Sequence, residues 1–452
     1  MDKRTYRLTN RELDLVDGYD VIVVGGGPSG CAAAIGAARD GAKTLLIEAT
    51  GCLGGMGTSG LVPSWAPFWD LEKIIYRGVA EKVLEMTKLG MPHVNPEELK
   101  WVPIDAEHLK RVYDELVTDS GADILFYSQL CSVETDGQGN ATEIIVCNKK
   151  GLTAYTAKAY IDCTGDADLA AWAGAEFLKG DEVTHDLQPA THCFVLSNVD
   201  DYAYQYGPRL HNSNESSPIF DIMKSEEFPL IVDSHCCNQM VGPGAISFNA
   251  GHLWNVDNTD PISLSKSVIK GRQIAHQFQQ ALAKHQPKAF GNAFLATTGA
   301  LMGIRETRRI VGEYTLTVSD YTDKRSFSDE IGRNSYYIDI HHSEHELSLA
   351  AMGKLDWEER RSRYALGESH GIPFRCLIPK GLKNVLVAGR SISCDRYVQG
   401  SLRVMPACLV MGEATGVAAA IAVKQQRDTI DFQSLPVDSL RSQLREHGAY
   451  FH

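Results

Sequence analysis

The sequence predicts an α/β protein whose main domain is a parallel sheet with a β-meander, split along the chain by an inserted α+β domain. Three observations predict it. Residues 19–30, "YDVIVVGGGPSG", run a buried strand into a glycine loop and on into a helix. "AKAYIDCTGD" and "GLKNVLVAGRSIS", far apart in the chain, supply two more apolar strands that each end at a glycine. Between about residues 196 and 370, polar, aromatic and histidine-rich segments replace the alternation of strand and alanine-rich helix.

In chain order, residues 21–24 are all β-branched, which suits a strand buried on both faces. Residues 29–39 are small and alanine-rich, predicting a helix able to approach a sheet closely. "KTLLIE", 43–48, predicts a second strand, and the three pieces make a βαβ unit of Rossmann type. "DAEHLKRVYDELVTDSGA" has apolar residues at helical spacing behind Asp105, a candidate N-cap. "ADILFYS", then "CSVETDGQGNATEIIVC" with its Asp-Gly turn, then "AKAYIDCTGD" predict a strand, a hairpin and a strand. Later a strand ends at Gly389, and "PACLVMGEATGVAAAIAVK" predicts a closing helix of small residues. The expected division is 1–195 and 371–452 for the two parts of the nucleotide domain, with 196–370 inserted.

At 452 residues the chain exceeds one ordinary core. Its net charge of −13 argues against nucleic acid or an anionic membrane as a partner. The N-terminal "MDKRTYRLTNRELDLVDG" lacks the apolar core of a signal peptide, and no run of about 18 uncharged apolar residues occurs. Eleven cysteines, an odd number in apolar contexts, fit reduced buried thiols better than a disulfide frame. A cytoplasmic protein is expected.

Gly25-x-Gly27-x-x-Gly30 lies between strand and helix, as a dinucleotide loop requires. Gly25 permits the tight turn, Gly27 lets a pyrophosphate approach the backbone, and Gly30 allows close helix packing. Pro28 and Ser29 open the helix, whose positive end faces the anion. Glu48 ends the second strand, where an acidic residue receives a ribose hydroxyl and disfavours a 2′-phosphate. A second glycine cluster, 51–60, follows directly and offers further amides and the Thr58 and Ser59 hydroxyls. It suits a flavin dinucleotide better than a shorter nicotinamide one. Pro406 stands just inside another helix start, whose positive end would stabilise the charge of a reduced flavin.

Several segments together carry a family resemblance: Gly25 to Gly30 with Glu48, Gly54-Gly55-Met56-x-Thr58, Asp162-x-Thr164-Gly165-Asp166, "GIRETRRIVGEY", "IPFRCLIPKGLKNVLVAGR" and "RVMPACLVMGEATG". From about residue 19 to 424 the chain resembles the FAD-dependent oxidoreductase domain family of the glutathione-reductase-like flavoprotein superfamily. The resemblance implies non-covalent FAD, its AMP half held by Gly25, Gly27, Gly30 and Glu48. It also implies flavin contacts from Gly54, Gly55, Met56 and Thr58 and from the turn Val404, Met405 and Pro406. Thr164, Gly165 and Asp166 form another close backbone approach; Gly389 and Arg390 fall near the pyrophosphate or ribityl chain, and Leu130 near the adenine. Many relatives have an aspartate where this chain has Arg390.

For catalysis, Arg305, Arg308 and Arg309 offer planar forks for a carboxylate, or else an intrahelical network with Glu306 and Glu313. The resemblance points Arg305 at the cavity. "SYYIDIHHSEHE" offers Asp339, His341, His342 and His345, and "FNAGHLWNVDN" offers His252 and Asn255; imidazole is the natural proton shuttle near neutral pH. His341 and His345 at i, i+4 lack HExxH and a third ligand, so no metal is expected. Arg305, His341 and His252 are the catalytic candidates. Cys236-Cys237 is not a C-x-x-C, so a dithiol mechanism has no motif.

The expected activity is hydride transfer between flavin N5 and a small polar organic substrate, as a dehydrogenase, oxidase or reductase. A flavin-dependent monooxygenase is the alternative, and a non-catalytic flavin-binding scaffold a third reading. With no second strand–GxGxxG–helix unit, the other redox partner stays open among oxygen, an electron carrier and NAD(P)H. A homodimer suits the size and the family.

Overall fold

Strand Asp14–Val24 runs through the main sheet, and its last four residues are at most 4% exposed, buried on both faces as their β-branching predicts. The computed structural model describes residues 6, 12–182, 184–352, 363–425 and 430–452. Residues 1–5 and 7–11 of the charged N-terminal stretch lie outside them. Across the sheet the order is Asp123–Leu125, Thr44–Ile47, Asp14–Val24, Gly151–Asp162, Ala141–Asn148 and Gln129–Thr135. The first four strands are parallel, and the last two return antiparallel as the meander. Val385–Val387 joins in parallel against residues 160–162 of the long strand, beyond the stretch that Ala141–Asn148 covers. The expected α/β sheet with a meander, built from separated parts of the chain, is what forms.

Two helices of small residues pack together to complete this layer, Pro28–Arg39 and Met405–Gln425. Their approach is set by glycine. A Cβ on Gly412 would land on the Ser29 carbonyl, and one on Gly416 on the Ala33 carbonyl. Met405–Gln425 is, among the described residues, the one helix long and apolar enough to cross a bilayer, yet 89% of its apolar window is buried inside the protein. It is a core helix. Ala106–Asp119 also forms as expected, with the Asp105 carboxylate accepting from the amides of Glu107 and His108 at 3.0 and 3.2 Å.

A second core packs the helix Pro261–His285 on a four-stranded antiparallel sheet of Phe294–Thr298, Phe194–Ser197, Ala245–Ala250 and Cys236–Gly242, in that order. Phe194 and Phe248 stack at 5.0 Å, and Phe278 of the helix lies 5.7 Å from Phe194. This core draws on residues from Ala190 to Ile304, whereas Ile310, Leu316, Tyr321 and Ile331 pack with the main domain. The chain therefore rejoins the main domain well before the expected residue 370.

One local expectation fails. "GIRETRRIVGEY" is not helical: Arg308–Ile310 is a strand paired antiparallel with Phe177–Lys179. The Glu306–Arg309 ion pair forms without a helix, fully buried, while Glu313 accepts from Gln433 instead.

Candidate active site

The carboxyl ends of four parallel strands open on one cavity of about 1490 Å³. Gly25, Gly27, Pro28 and Ser29 follow Val24; Glu48 follows Ile47; Thr164, Gly165 and Asp166 follow Asp162; Gly389 and Arg390 follow Val387. A crevice beyond the carboxyl ends of parallel strands is where open α/β sheets bind ligands. Gly25 has φ +98°, and a Cβ there would meet the Cys163 carbonyl, so the turn requires glycine. A Cβ on Gly27, by contrast, meets no protein atom within 4 Å. Gly27 faces the open trough. The Glu48 carboxylate braces the loop, accepting from the amides of Gly26 and Thr50 at 2.6 and 2.7 Å.

Gly55, Met56, Leu130, Val404 and Met405 also line the trough. Gly30, Gly54 and Thr58 do not line it but shape its walls. Gly30 sits against the Gly25 carbonyl; Gly54 has φ +95° beneath Tyr113; buried Thr58 donates to the Leu53 carbonyl at 2.6 Å. The opposite wall hangs on Asp162, which accepts from Thr164 N at 3.0 Å, Thr164 Oγ1 at 2.7 Å and Ala170 N at 2.9 Å. Burial pushes its carboxyl up to about 6 against those donors. Asp162→Ala should leave three donors without an acceptor and cost about 2–4 kcal/mol, read as a lower urea midpoint of the coenzyme-free protein.

The same cavity continues into a chamber lined by Thr191, Asp233, His235, Asn249, His252, Arg305, Tyr337, Asp339, His341 and Arg403. His252 Nε2 and His341 Nδ1 face each other at 2.8 Å. Behind His252, Nδ1 lies 3.5 Å from Asp233; behind His341, Nε2 lies 3.6 Å from Asp339. This row has three positions for an N–H proton: one between the rings and one toward each carboxylate. Two neutral imidazoles bring two protons, so the row is one short. Burial first, then the Arg305 charge, holds His341 down at about 3 and also lowers His252, so both rings rest neutral. Burial alone would raise the Asp339 carboxyl, but His341, Arg403 and Arg305 outweigh it and keep it ionised.

His235, His252 and His341 lie near enough together to suggest one metal ion. Ring orientation opposes it. His235 and His252 stack 4.3 Å apart with planes only 7° from parallel, so their in-plane lone pairs cannot converge on one ion. Arg305 and Asn249 also occupy the His235 Nε2 position, at 3.2 Å each.

Arg305 reaches the chamber as expected, but not as a free fork. Nη1 donates to the Pro189 carbonyl at 2.7 Å and Thr191 Oγ1 at 2.9 Å; Nη2 donates to His235 at 3.2 Å and Asn249 at 3.4 Å. Its role is a fixed charge in the wall. Arg308 binds Asp168 at 2.6 Å, and Arg309 is buried against Glu306, so neither offers a clamp. His341 precedes the helix Glu344–Ala351, while exposed His345 on that helix turns to Asp186 at 3.4 Å, so the two do not form an i, i+4 pair. Cys237 lines the chamber with its thiol pushed up to about 11 by burial, which makes it a poor nucleophile.

Comparison with known proteins decides the family. The sequence profile described as "FAD dependent oxidoreductase" matches residues 20–444. The chain belongs to the FAD-dependent oxidoreductase family. It is similar to digeranylgeranylglycerophospholipid reductase of Picrophilus torridus, 30% identical over an alignment of 176 residues, with 35% of this chain and 43% of that one covered. It is also similar to dihydrolipoyl dehydrogenase of Trypanosoma brucei brucei, 55% identical over 49 residues, 11% of this chain and 10% of the relative. The matches thus span less than half the length of either curated relative. Among solved structures, a geranylgeranyl bacteriochlorophyll reductase-like protein of Thermoplasma acidophilum aligns over 96% of this chain and 83% of its own, at 14% identity and a TM-score of 0.45. The myxobacterial chondrochloren halogenase CndH, FAD-dependent, aligns over 96% and 79%, at 12% identity and a TM-score of 0.47.

The trough fits FAD on its own features. Open space faces Gly27, and the first turns of Pro28–Arg39 and Met405–Gln425 both line the cavity, presenting positive helix ends. Arg390 lies over Gly165 and donates to Asp166 at 2.8 Å. Its buried Nε has no acceptor among the described residues. A pyrophosphate or ribityl oxygen of FAD would satisfy it. Sequence reading missed Asp233, His235 and Asn249, because no local motif marks them and only the tertiary fold brings them to His252 and His341.

Proposed function

We propose that this FAD-dependent oxidoreductase moves a hydride between flavin N5 and a small polar organic substrate seated between the trough and the histidines. One observation carries the reading: a single cavity runs without interruption from the dinucleotide loop to the His252–His341 pair. Bound FAD supplies the two-electron chemistry. The chain's own residues orient the substrate and manage its proton. The Asp233–His252–His341–Asp339 row lacks one N–H, so it takes up a proton and gains a hydrogen bond in doing so. Burial first, and after it the Arg305 charge, keeps the two rings neutral beforehand, so a ring is free to accept the substrate's proton.

The test is anaerobic mixing of the purified yellow protein with pooled polar metabolites. Bleaching of the flavin band by a metabolite alone is expected. A requirement for NADPH, with oxygen incorporated into the product, would replace this reading with a monooxygenase. Arg305→Met should retain the flavin but let the His341 imidazole rise from about 3 towards its ordinary value. The sign follows: removing the charge raises the ring only part of the way, since burial remains, and a ring protonated in advance cannot accept the substrate's proton, so the variant's bleaching rate should fall towards the acid end of the range. The unsubstituted protein should stay flat there. Stopped-flow traces between about pH 5 and 8 read the difference.

A further inference from the structure

Two guanidinium nitrogens in the cavity are buried without an acceptor among the described residues: Nε of Arg390 and Nε of Arg403. Arg390 belongs to the trough wall with Gly165 and Asp166, where the coenzyme accounts for it. Arg403 borders the chamber. A buried charged donor with nothing to receive it is unfavourable, and such a group calls for an explanation.

We infer that Arg403 anchors a carboxylate of the substrate, which is a short carboxylic acid bearing a hydroxyl or amino group on the carbon next to it. This deepens the reading given under Proposed function and rests on it. Arg403 is held in place from one side only. Its Nη2 donates to the Asp339 carbonyl at 2.8 Å and to Asp339 Oδ2 at 3.3 Å, and its side chain is 15% exposed. Arg305, which also lines the chamber, has four protein acceptors and is already engaged, and Arg363 lies over the Tyr337 ring at 4.7 Å.

Spacing selects the substrate class. Asp339 presents Oδ2 to Arg403 and Oδ1 to His341 at 3.6 Å, so the anion anchor and the proton-accepting row flank a single carboxylate. A molecule that reaches both carries its charge and its proton-bearing heteroatom close together, as a 2-hydroxy or 2-amino acid does on adjacent carbons. Tyr336 and Tyr337 line the cavity beside Asp339, and their ring centroids lie 4.4 Å apart. They leave the remainder of a short acid an aromatic surface. The reaction balances within the holoenzyme: the C–H hydride carries two electrons to bound FAD, the O–H or N–H proton goes to the histidine row, and the carbon becomes a carbonyl or imine.

The experiment titrates the anaerobic holoenzyme with a panel of two- to five-carbon 2-hydroxy acids and 2-amino acids, each beside its neutral primary amide. Oxalate and pyruvate serve as non-reducing probes, read by the shift they cause in the flavin spectrum. At least one acid should bleach the flavin, with its amide needing about 30-fold more for half-effect, the loss typical of one charge-assisted pair. Arg403→Gln should raise the half-saturating concentration of that acid and of oxalate about 30-fold while moving that of the amide far less, and Arg403→Lys should recover part of the loss. Acid and amide acting alike, or Arg403→Gln weakening both equally, overturns the inference. So does silence across the whole panel together with no oxalate or pyruvate shift. FAD content and bleaching by other metabolites separate the readings: a stoichiometric flavin reduced only by uncharged molecules keeps the proposed function and sinks the carboxylate anchor.

Discussion

Gly27→Val yields a folded, colourless protein. Valine fits the backbone there, because Gly27 has φ −71° and ψ −175°, ordinary extended geometry. It also fits the protein's packing, because an added Cβ meets no protein atom within 4 Å. The branched side chain projects instead into the trough, across the first turn of Pro28–Arg39 where the pyrophosphate must approach the amides. Losing even two charge-assisted hydrogen bonds, each about 1.5–3 kcal/mol, weakens FAD binding on the order of 100-fold or more. Calorimetric titration of the apoprotein with FAD measures the loss, and an unchanged urea midpoint of the apoprotein shows that the fold is intact. Full yellow occupancy in this variant would remove the dinucleotide from the loop.

Gly416→Leu has the opposite character, destroying stability before it touches the ligand. A Cβ at this position coincides with the Ala33 carbonyl and lies 2.8 Å from the Ala37 amide nitrogen, both backbone atoms of the facing helix. No rotamer relieves a clash with backbone; the two helices must separate. Gly412 and Gly416, with Gly36 of the facing helix against Glu413 and Val417, put this contact at the middle of Met405–Gln425, so separation opens the main core. A loss of about 3–5 kcal/mol is expected, at the top of the range for overpacking. Urea denaturation reads it, or failure to recover soluble protein. The coenzyme should not rescue the variant fully, since displacing this helix also moves Val404 and Met405 out of the trough wall.

The parts of the molecule legible in the sequence are those whose physics is local. The β-branched run of residues 21–24, the Gly25–x–Gly27–x–x–Gly30 spacing, the Asp105 cap and the Asp-Gly hairpin each announce themselves within a few residues, and each forms. The misread segment shows the limit. Charges at Glu306 and Arg309 have helical spacing and do pair, but Phe177–Lys179 offers Arg308–Ile310 a strand partner, and that pairing sets the backbone. Tertiary pairing overrode local preference. The chamber was half visible. His252, His341 and Arg305 stand out as residue types, yet the facts that give them roles belong to distant partners: Asp233 and Asp339 behind the two rings, and Pro189, Thr191 and Asn249 around the guanidinium. No spacing rule connects positions scattered from 189 to 341.

Val385–Val387 takes its place beside the end of Gly151–Asp162 late in the chain, and Met405–Gln425 covers Pro28–Arg39 later still. During translation, then, the ribosome releases a glycine loop near the start whose neighbours are hundreds of codons away. A nascent polypeptide stopped before those segments emerge leaves an alanine-rich helix face exposed, a surface that invites chaperones. Pigmentation consequently reports a finished molecule: premature termination anywhere upstream of the closing helix should produce pale, protease-sensitive fragments.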